Sequence, residues 1–313
     1  MTTFAWREVF LNAQHAAVSS TLADSIAAGH SVLILEGVAS EDECQQLASE
    51  ASLAAAKERT AKGLDGLVRK PATALLDRSG VTLFDSLLLR QVRRMQDVAP
   101  CLTTSLFGEA LDASPSTVFD NPHLIWSEGE PAVNVYSPGG RFTPHQDAQS
   151  LTCLLNVSPR DDYTGGGTAF WSLHDAGHKG TKAESKPPTF LIAPPAGTAL
   201  VFGGQVTHAA QPLLSGERIV AVASFSPSAF RGIIRPPTDL QLFKAVIGGQ
   251  AVDGSLAAHA LPSRQPESSH TPQDCSLEDL RDALKTHECD IAPTNARCVV
   301  TLASLSQQRH SID

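Results

Sequence analysis

Among the chain's 11 histidines, one opens a His-x-Asp triplet, His145-Gln146-Asp147. On an extended strand alternate side chains share a face, so a strand over 141–147 would present imidazole and carboxylate side by side. His208, 61 residues beyond Asp147, follows the apolar run TALVFGG and can return beside them in a folded sheet. Two imidazoles and one carboxylate on one face of an octahedron leave three positions open on a metal. Ten residues after His208, Arg218 opens the apolar run RIVAVASF, where burying a cation is costly without an anion. Its planar fork suits a carboxylate, as a dicarboxylic co-substrate would offer at the end remote from a metal. Tyr136 stands nine residues before His145, with Asn134 on the same strand face. Asn134 and Gln149, in phase with these residues, are the candidates for substrate contact, although either could equally serve ordinary strand or turn hydrogen bonds. Any of these residues alone reads as structural; their joint spacing points to chemistry.

These side chains need a β scaffold. Between Trp126 and Ser226 the sequence breaks into short alternating runs separated by Gly, Pro and Asp. The runs 131–136, 141–147, 151–157, 168–171, 189–192, 198–202, 205–209 and 218–225 make eight expected strands, enough for a jelly roll. The polar insertion 174–188 reads as a mobile flap over its mouth, with 60–82 a second loop near the substrate. Upstream, Gln14 to Ala28 has helical spacing, 31–35 is a strand, and Ser40 with Glu43 forms a capping box for a helix running to about Lys57. A longer helix is expected from Leu83 to Phe107 on the spacing of Leu87, Leu88, Val92, Met95 and Val98. Arg90, Arg93 and Arg94 on it read as a solvated face rather than an anion site. Helices at 238–247 and 276–284 flank a Ser/Pro/His-rich linker at 253–274.

The composition sets the class. With 313 residues, 42% hydrophobic and 18% charged, the chain can bury a large core, which excludes disorder over most of its length. A net charge of −9 gives no general grip on phosphate, so no nucleic acid is expected. No apolar run is long enough for a membrane span. The N-terminus lacks the pattern of a secretory signal, so a cytoplasmic location is expected. The cysteines Cys44, Cys101, Cys153, Cys275, Cys289 and Cys298 include no CxxC pair and read as free thiols. Zinc held by Cys275, His287, Cys289 and Cys298 is disfavoured by their irregular spacing, and His174 and His178 read as a solvated loop rather than a second metal site.

The stretches VNVYSPGGRFTPHQD, LTCLLNVSP, GGGTAFW and PPAGTALVFGGQVTHAAQPLLSGERIVAVASFS together resemble the core of prolyl 4-hydroxylase-type Fe(II)/2-oxoglutarate dioxygenases. The resemblance spans about one hundred residues and implies an α+β, mainly β fold built on a double-stranded β-helix, the cupin-like jelly roll. It implies a catalytic core at 126–232, supporting helices and strands of the same domain at 1–125, and a helical extension at 233–313. Carried over by position, His145, Asp147 and His208 would hold Fe(II). Arg218 would hold the far carboxylate of 2-oxoglutarate, Tyr136 would be the co-substrate tyrosine, and Thr168 the threonine of the GGxT turn. Phe142 stands where the family usually has a second tyrosine, so a polar contact is lost there. Arg218 followed by Ile219 and Val220 departs from the Arg-x-Ser of the penicillin-synthase branch.

The implied reaction consumes 2-oxoglutarate and O2, releases succinate and CO2, and oxidises an unactivated C–H bond, by hydroxylation or by desaturation or ring closure. Ascorbate would be an accessory reductant. The expected substrate is a small amino-acid-like or carboxylated metabolite. The alternatives are prolyl hydroxylation of a protein or peptide, and a catalytically silent metal-binding or sensing barrel. Oligomeric state is left open.

Overall fold

The computed structural model describes residues 4–17, 21–62, 66–100, 102–103, 118–121, 124–147, 149–177 and 180–227. The helices expected at 238–247 and 276–284, the linker at 253–274, and Cys101, His178, Cys275, His287, Cys289 and Cys298 lie outside them.

The chain opens with β1 (Trp6–Phe10), α1 (Leu22–Ala27) and β2 (Ser31–Leu35). Next come α2 (Glu41–Lys62), β3 (Leu67–Pro71), α3 (Ala72–Leu75) and α4 (Arg78–Val98). The β-rich part begins with β4 (Leu124–Trp126), β5 (Ala132–Tyr136), β6 (Leu151–Asn156), β7 (Tyr163–Gly165) and β8 (Thr168–Trp171). After the short α5 (Leu173–Ala176) follow β9 (Phe190–Ile192), β10 (Thr198–Gly203), β11 (Thr207–Ala210), β12 (Leu213–Gly216) and β13 (Arg218–Pro227). The capping box forms as expected: Ser40 N–H donates to Glu43 Oε2 at 2.8 Å and Glu43 N–H to Ser40 Oγ at 3.2 Å.

Eight strands form one antiparallel sheet in the order β1-β2-β10-β6-β13-β5-β3, with β4 on the far end of β13. A three-stranded sheet, β11-β8-β9, and the pair β12-β7 complete a jelly roll, the α+β, mainly β architecture expected. The large sheet is buried on both faces, which is why its strands read as continuous apolar runs. On one face Leu33, Leu35, Leu155, Val201 and Ala221 pack with Ile26 of α1, Leu47 of α2 and Leu87 of α4. On the other, Val32, Ile34, Leu154, Phe202 and Val222 pack with Phe170 and Ala210 of the smaller sheet. The polar site lies at this second, inter-sheet face.

Several expectations are corrected. Residues 141–147 are not a strand; His145 makes an isolated bridge to His208 within a loop. The loop expected at 60–82 contains β3, an edge strand whose polar, Pro-terminated sequence LVRKP carries no buried alternation. The long helix runs from Arg78 to Val98 because Asp77 caps it, its side chain accepting from Ser79 N–H at 2.7 Å and Gly80 N–H at 3.0 Å. Gln14 to Ala28 is divided into a 3-10 turn at Ala13–Ala17 and α1, α2 continues to Lys62, and the strand expected at 205–209 is β11. The described residues of the insertion 174–188 pack down: Ala176 and Ala183 are buried against Trp171 and Ala209, and Trp171 Nε1 donates to Lys186 O at 3.0 Å. Arg90 and Arg94 are not a solvated face either. Arg90 grips Glu43 with two 2.8 Å bonds and also donates to Val38 O, while Arg94 donates to Glu36 O at 2.6 Å, so both tie α4 to the segment after β2. Arg93 is exposed, as expected.

Candidate metal and co-substrate site

His145, Asp147 and His208 converge, with one ligand atom from each within 4.8 Å of the others. His145 Nε2 is 3.6 Å from Asp147 Oδ1, and His208 Nε2 is 3.6 Å from Asp147 Oδ2. Reciprocal backbone bonds do the work expected of a strand: His145 N–H donates to His208 O at 3.0 Å and His208 N–H to His145 O at 2.9 Å. Gln146 Nε2 donates to Thr207 Oγ1 at 3.2 Å and so pins the same loop to β11.

The ring orientations fit a metal. His145 Nδ1 is 2.8 Å from Thr143 O, and His208 Nδ1 is 3.1 Å from Val206 O. A carbonyl only accepts, so each Nδ1 carries the proton and each Nε2 turns its lone pair toward Asp147. Burial, helped by His145 and opposed by Asp147, lowers the pKa of His208 and favours the neutral imidazole that metals bind. The Thr152 hydroxyl donates to Asp147 Oδ2, fixing the carboxylate's rotation. Nothing in the motif pointed to Thr152; its signal was a polar residue in phase with Leu154 on a strand whose other polar residue is the terminal Asn156.

The same cavity, of about 370 Å³, is lined by Arg218, Tyr136, Thr168 and Asn134. Arg218 and Tyr136 are directly opposite in the β13–β5 register, and the guanidinium carbon lies 5.6 Å from the tyrosine ring centre. Arg218 is only 3% exposed, yet among the described residues no carboxylate pairs with it. Its Nη2 donates to Thr168 Oγ1 at 3.1 Å, its contact to Gly167 O is long at 3.5 Å, and its Nε has no partner among the described residues. A buried, under-satisfied guanidinium requires an anion, and the site fits a carboxylate co-substrate on this observation. Gly166 and Gly167 have φ of +64° and +96°, and a Cβ on Gly166 would meet Leu213 Cδ1 at 3.0 Å and Arg218 Cδ at 3.4 Å. Burial raises the Tyr136 pKa, against the pull of Arg218, so the group remains a phenol able to donate.

Asn134 donates from Nδ2 toward Tyr136 OH at 3.4 Å and lines the cavity. Gln149 is placed elsewhere: it is buried, its Oε1 accepts from Ser226 Oγ at 2.7 Å, and it is not part of the cavity wall. His174 is exposed beside Asp175 at 3.2 Å, in no metal cluster among the described residues. The wall also holds Arg69 and Glu130, which the sequence did not single out because Arg69 falls in the segment read as a loop. Arg69 Nη2 donates to Glu130 Oε1 at 2.7 Å, and burial followed by the Asp147 charge raises the pKa of Glu130. Among the described residues no helix is long and apolar enough to cross a membrane.

Residues 131–225 match the family model of the 2OG-Fe(II) oxygenase superfamily. No curated protein sequence matches the chain. The fold is similar to that of a viral collagen prolyl hydroxylase from Paramecium Bursaria Chlorella virus-1 in its 2OG complex, at 17% identity and TM-score 0.41, covering 64% of this chain and 97% of that one. It is similar to a Pseudomonas putida prolyl-4-hydroxylase at 13% identity and TM-score 0.38, covering 65% and 98%. It is also similar to HygX from Streptomyces hygroscopicus with nickel, 2-oxoglutarate and hygromycin B bound, at 15% identity and TM-score 0.43, covering 70% and 88%. The family match lies on 131–225, the segment that carries His145, Asp147, His208 and Arg218, and it indicates a 2OG-Fe(II) oxygenase, an oxidoreductase.

Proposed function

We propose that His145, Asp147 and His208 hold Fe(II), and that Arg218, Tyr136 and Thr168 hold 2-oxoglutarate. The enzyme on this reading hydroxylates an unactivated C–H bond of a small amino-acid-like or carboxylated metabolite, releasing succinate and CO2; desaturation or ring closure belongs to the same class. The observation that carries it is the pairing, in one cavity, of an open His-Asp-His cluster with a buried arginine that has no counter-ion among the described residues. Iron with bound 2-oxoglutarate supplies the activation of O2 and the oxidation of the C–H bond.

The chain's own residues bind, orient and shelter. Arg218 and the Thr168 hydroxyl take the far carboxylate, and the Tyr136 phenol donates to the same anion. Leu154, Val220 and Val222 make the wall apolar and exclude water. Ascorbate is included as accessory reductant. A cytoplasmic location belongs to the reading, supported by Cys44 and Cys153, which are buried free thiols.

Hydroxylation of a prolyl residue in a peptide is the second reading. It is favoured by an adjoining groove of about 470 Å³ that shares Phe142 and Ala210 with the cavity and could seat flanking chain.

Anaerobic Fe(II) with 2-oxoglutarate should give the visible absorption of a chelated 2-oxo acid, and His208→Ala should abolish it. Arg218→Ala should raise the 2-oxoglutarate requirement far more than it weakens metal binding. An unchanged spectrum in the histidine variant would overturn the metal assignment. Succinate release that depends on an added metabolite or peptide separates catalysis from a silent barrel.

A further inference from the structure

We propose that the cavity wall formed by Glu128, Glu130 and Asn134 is an ammonium subsite, so that the substrate is an amine bound as its cation. The inference rests on the iron and 2-oxoglutarate reading and narrows its substrate class from amino-acid-like or carboxylated to amine-bearing.

Charge bookkeeping makes the first case. In the loaded site the dipositive iron, the Asp147 carboxylate, the 2-oxoglutarate dianion and the Arg218 guanidinium cancel. Arg69 is the other arginine on the cavity wall, and its charge is paired with Glu130, Nη2 to Oε1 at 2.7 Å. Among the described residues of the wall, no cation without an anionic partner then remains to receive a substrate carboxylate. What remains accepts hydrogen bonds: Glu128 is exposed at the rim and has no ion pair among the described residues. Glu130, its side chain 6% exposed, is fixed by Arg69 at Oε1 and by Ser224 N–H at Oε2, 2.5 Å away. A carboxylate held this rigidly is pre-organised for a second donor.

Asn134 makes an independent case. It is 5% exposed, lines the cavity, and its Oδ1 has no partner among the described residues while Nδ2 is turned to Tyr136. A buried acceptor left open costs free energy unless a ligand N–H meets it. An ammonium carries two or three donors, enough for this acceptor and a carboxylate together.

Three matched probes test the charge preference: L-leucinamide as cation, N-acetyl-L-leucinamide as neutral form and N-acetyl-L-leucine as anion. Each is titrated by calorimetry into protein loaded with Ni(II) and 2-oxoglutarate. Leucinamide should bind tightest, by roughly tenfold or more over the anion, since one charge-assisted hydrogen bond is worth that much. Glu128→Gln, at an exposed position, should shrink the gap without disturbing the fold, and Asn134→Leu should shrink it further. Equal or tighter binding of the anion, no binding of leucinamide, or a gap untouched by Glu128→Gln overturns the subsite. The Fe(II) and 2-oxoglutarate absorption is recorded on the same preparation. If that absorption is missing the underlying reading fails; if it is present with the wrong charge order, this inference alone fails.

Discussion

At the scale of single residues, the site consists of groups whose polar demands its own fold leaves partly unmet. Among the described residues, Arg218 Nε and Asn134 Oδ1 have no hydrogen-bond partner, and both residues line one cavity. Asp147 differs, because the Thr152 hydroxyl holds one of its oxygens. Supporting bonds of this kind are worth roughly 10- to 100-fold in metal affinity. Thr152→Val keeps the shape and removes the donor, so Fe(II) affinity should fall by about that factor while stability to urea changes by about 1 kcal/mol. Thr152→Ser should restore the metal. Unchanged metal titration in the valine variant would show that Asp147 needs no such support. The His145, Asp147 and His208 cluster and Arg218 were legible in the sequence because these residue types and a cation opening an apolar run are rare combinations. Thr152, Glu130 and Arg69 were not, because their roles depend on which side chains the sheets bring opposite them.

At the scale of elements, the site depends on how strands are held in register. Arg218 faces Tyr136 across β13 and β5, and Arg59 of α2 clamps both strands at that point. Its Nη1 is 2.9 Å from Glu217 Oε2 and its Nη2 donates to Val135 O at 3.2 Å. Arg59→Ala should therefore raise KM for 2-oxoglutarate several-fold with little change in kcat, and Arg59→Lys should recover part of the loss. A change confined to kcat would exclude this positioning role. A second clamp, between α2 and α4, has a pH signature. Arg90 first, with help from Ser40, holds the Glu43 carboxyl down at about 2, below its ordinary value of 4.5. The folded state thus binds the proton less tightly than the unfolded one, so the stabilisation is complete above the ordinary carboxylate range and is lost as pH falls toward 2. Glu43→Gln should cost about 1 kcal/mol at pH 7, given partial solvent screening, and the gap to the parent in urea unfolding should close on acidification. The strands were readable where both faces are buried, as in SVLIL of β2. The loop at 141–147 was misread because its alignment comes from the distant backbone of His208, and periodicity does not reveal a partner 63 residues away.

At the scale of the whole molecule, the recognisable core does not close its own sheet. Residues 131–225 contain β5 to β12 and most of β13, but β2 pairs with β10, β1 covers β2, and β3 covers β5. The outer face of the sheet is buried by α1, α2 and α4, whose Ile26, Leu47, Leu87 and Val92 are fully buried. Removing them would expose Val135, Leu155, Val201 and Ala221 together, an apolar surface far beyond what a soluble monomer tolerates. We propose accordingly that 1–125 supports the same folding unit as 126–232, and that 233–313 is an extension of it. A chain of 126–232 alone should aggregate or fail to fold. A chain of 1–232 should unfold cooperatively and retain the Fe(II) and 2-oxoglutarate absorption with affinities within about threefold of the full chain, a shift under 1 kcal/mol. Loss of co-substrate binding on removing 233–313 would instead make the extension part of the site, because every lining residue named above lies before Pro227.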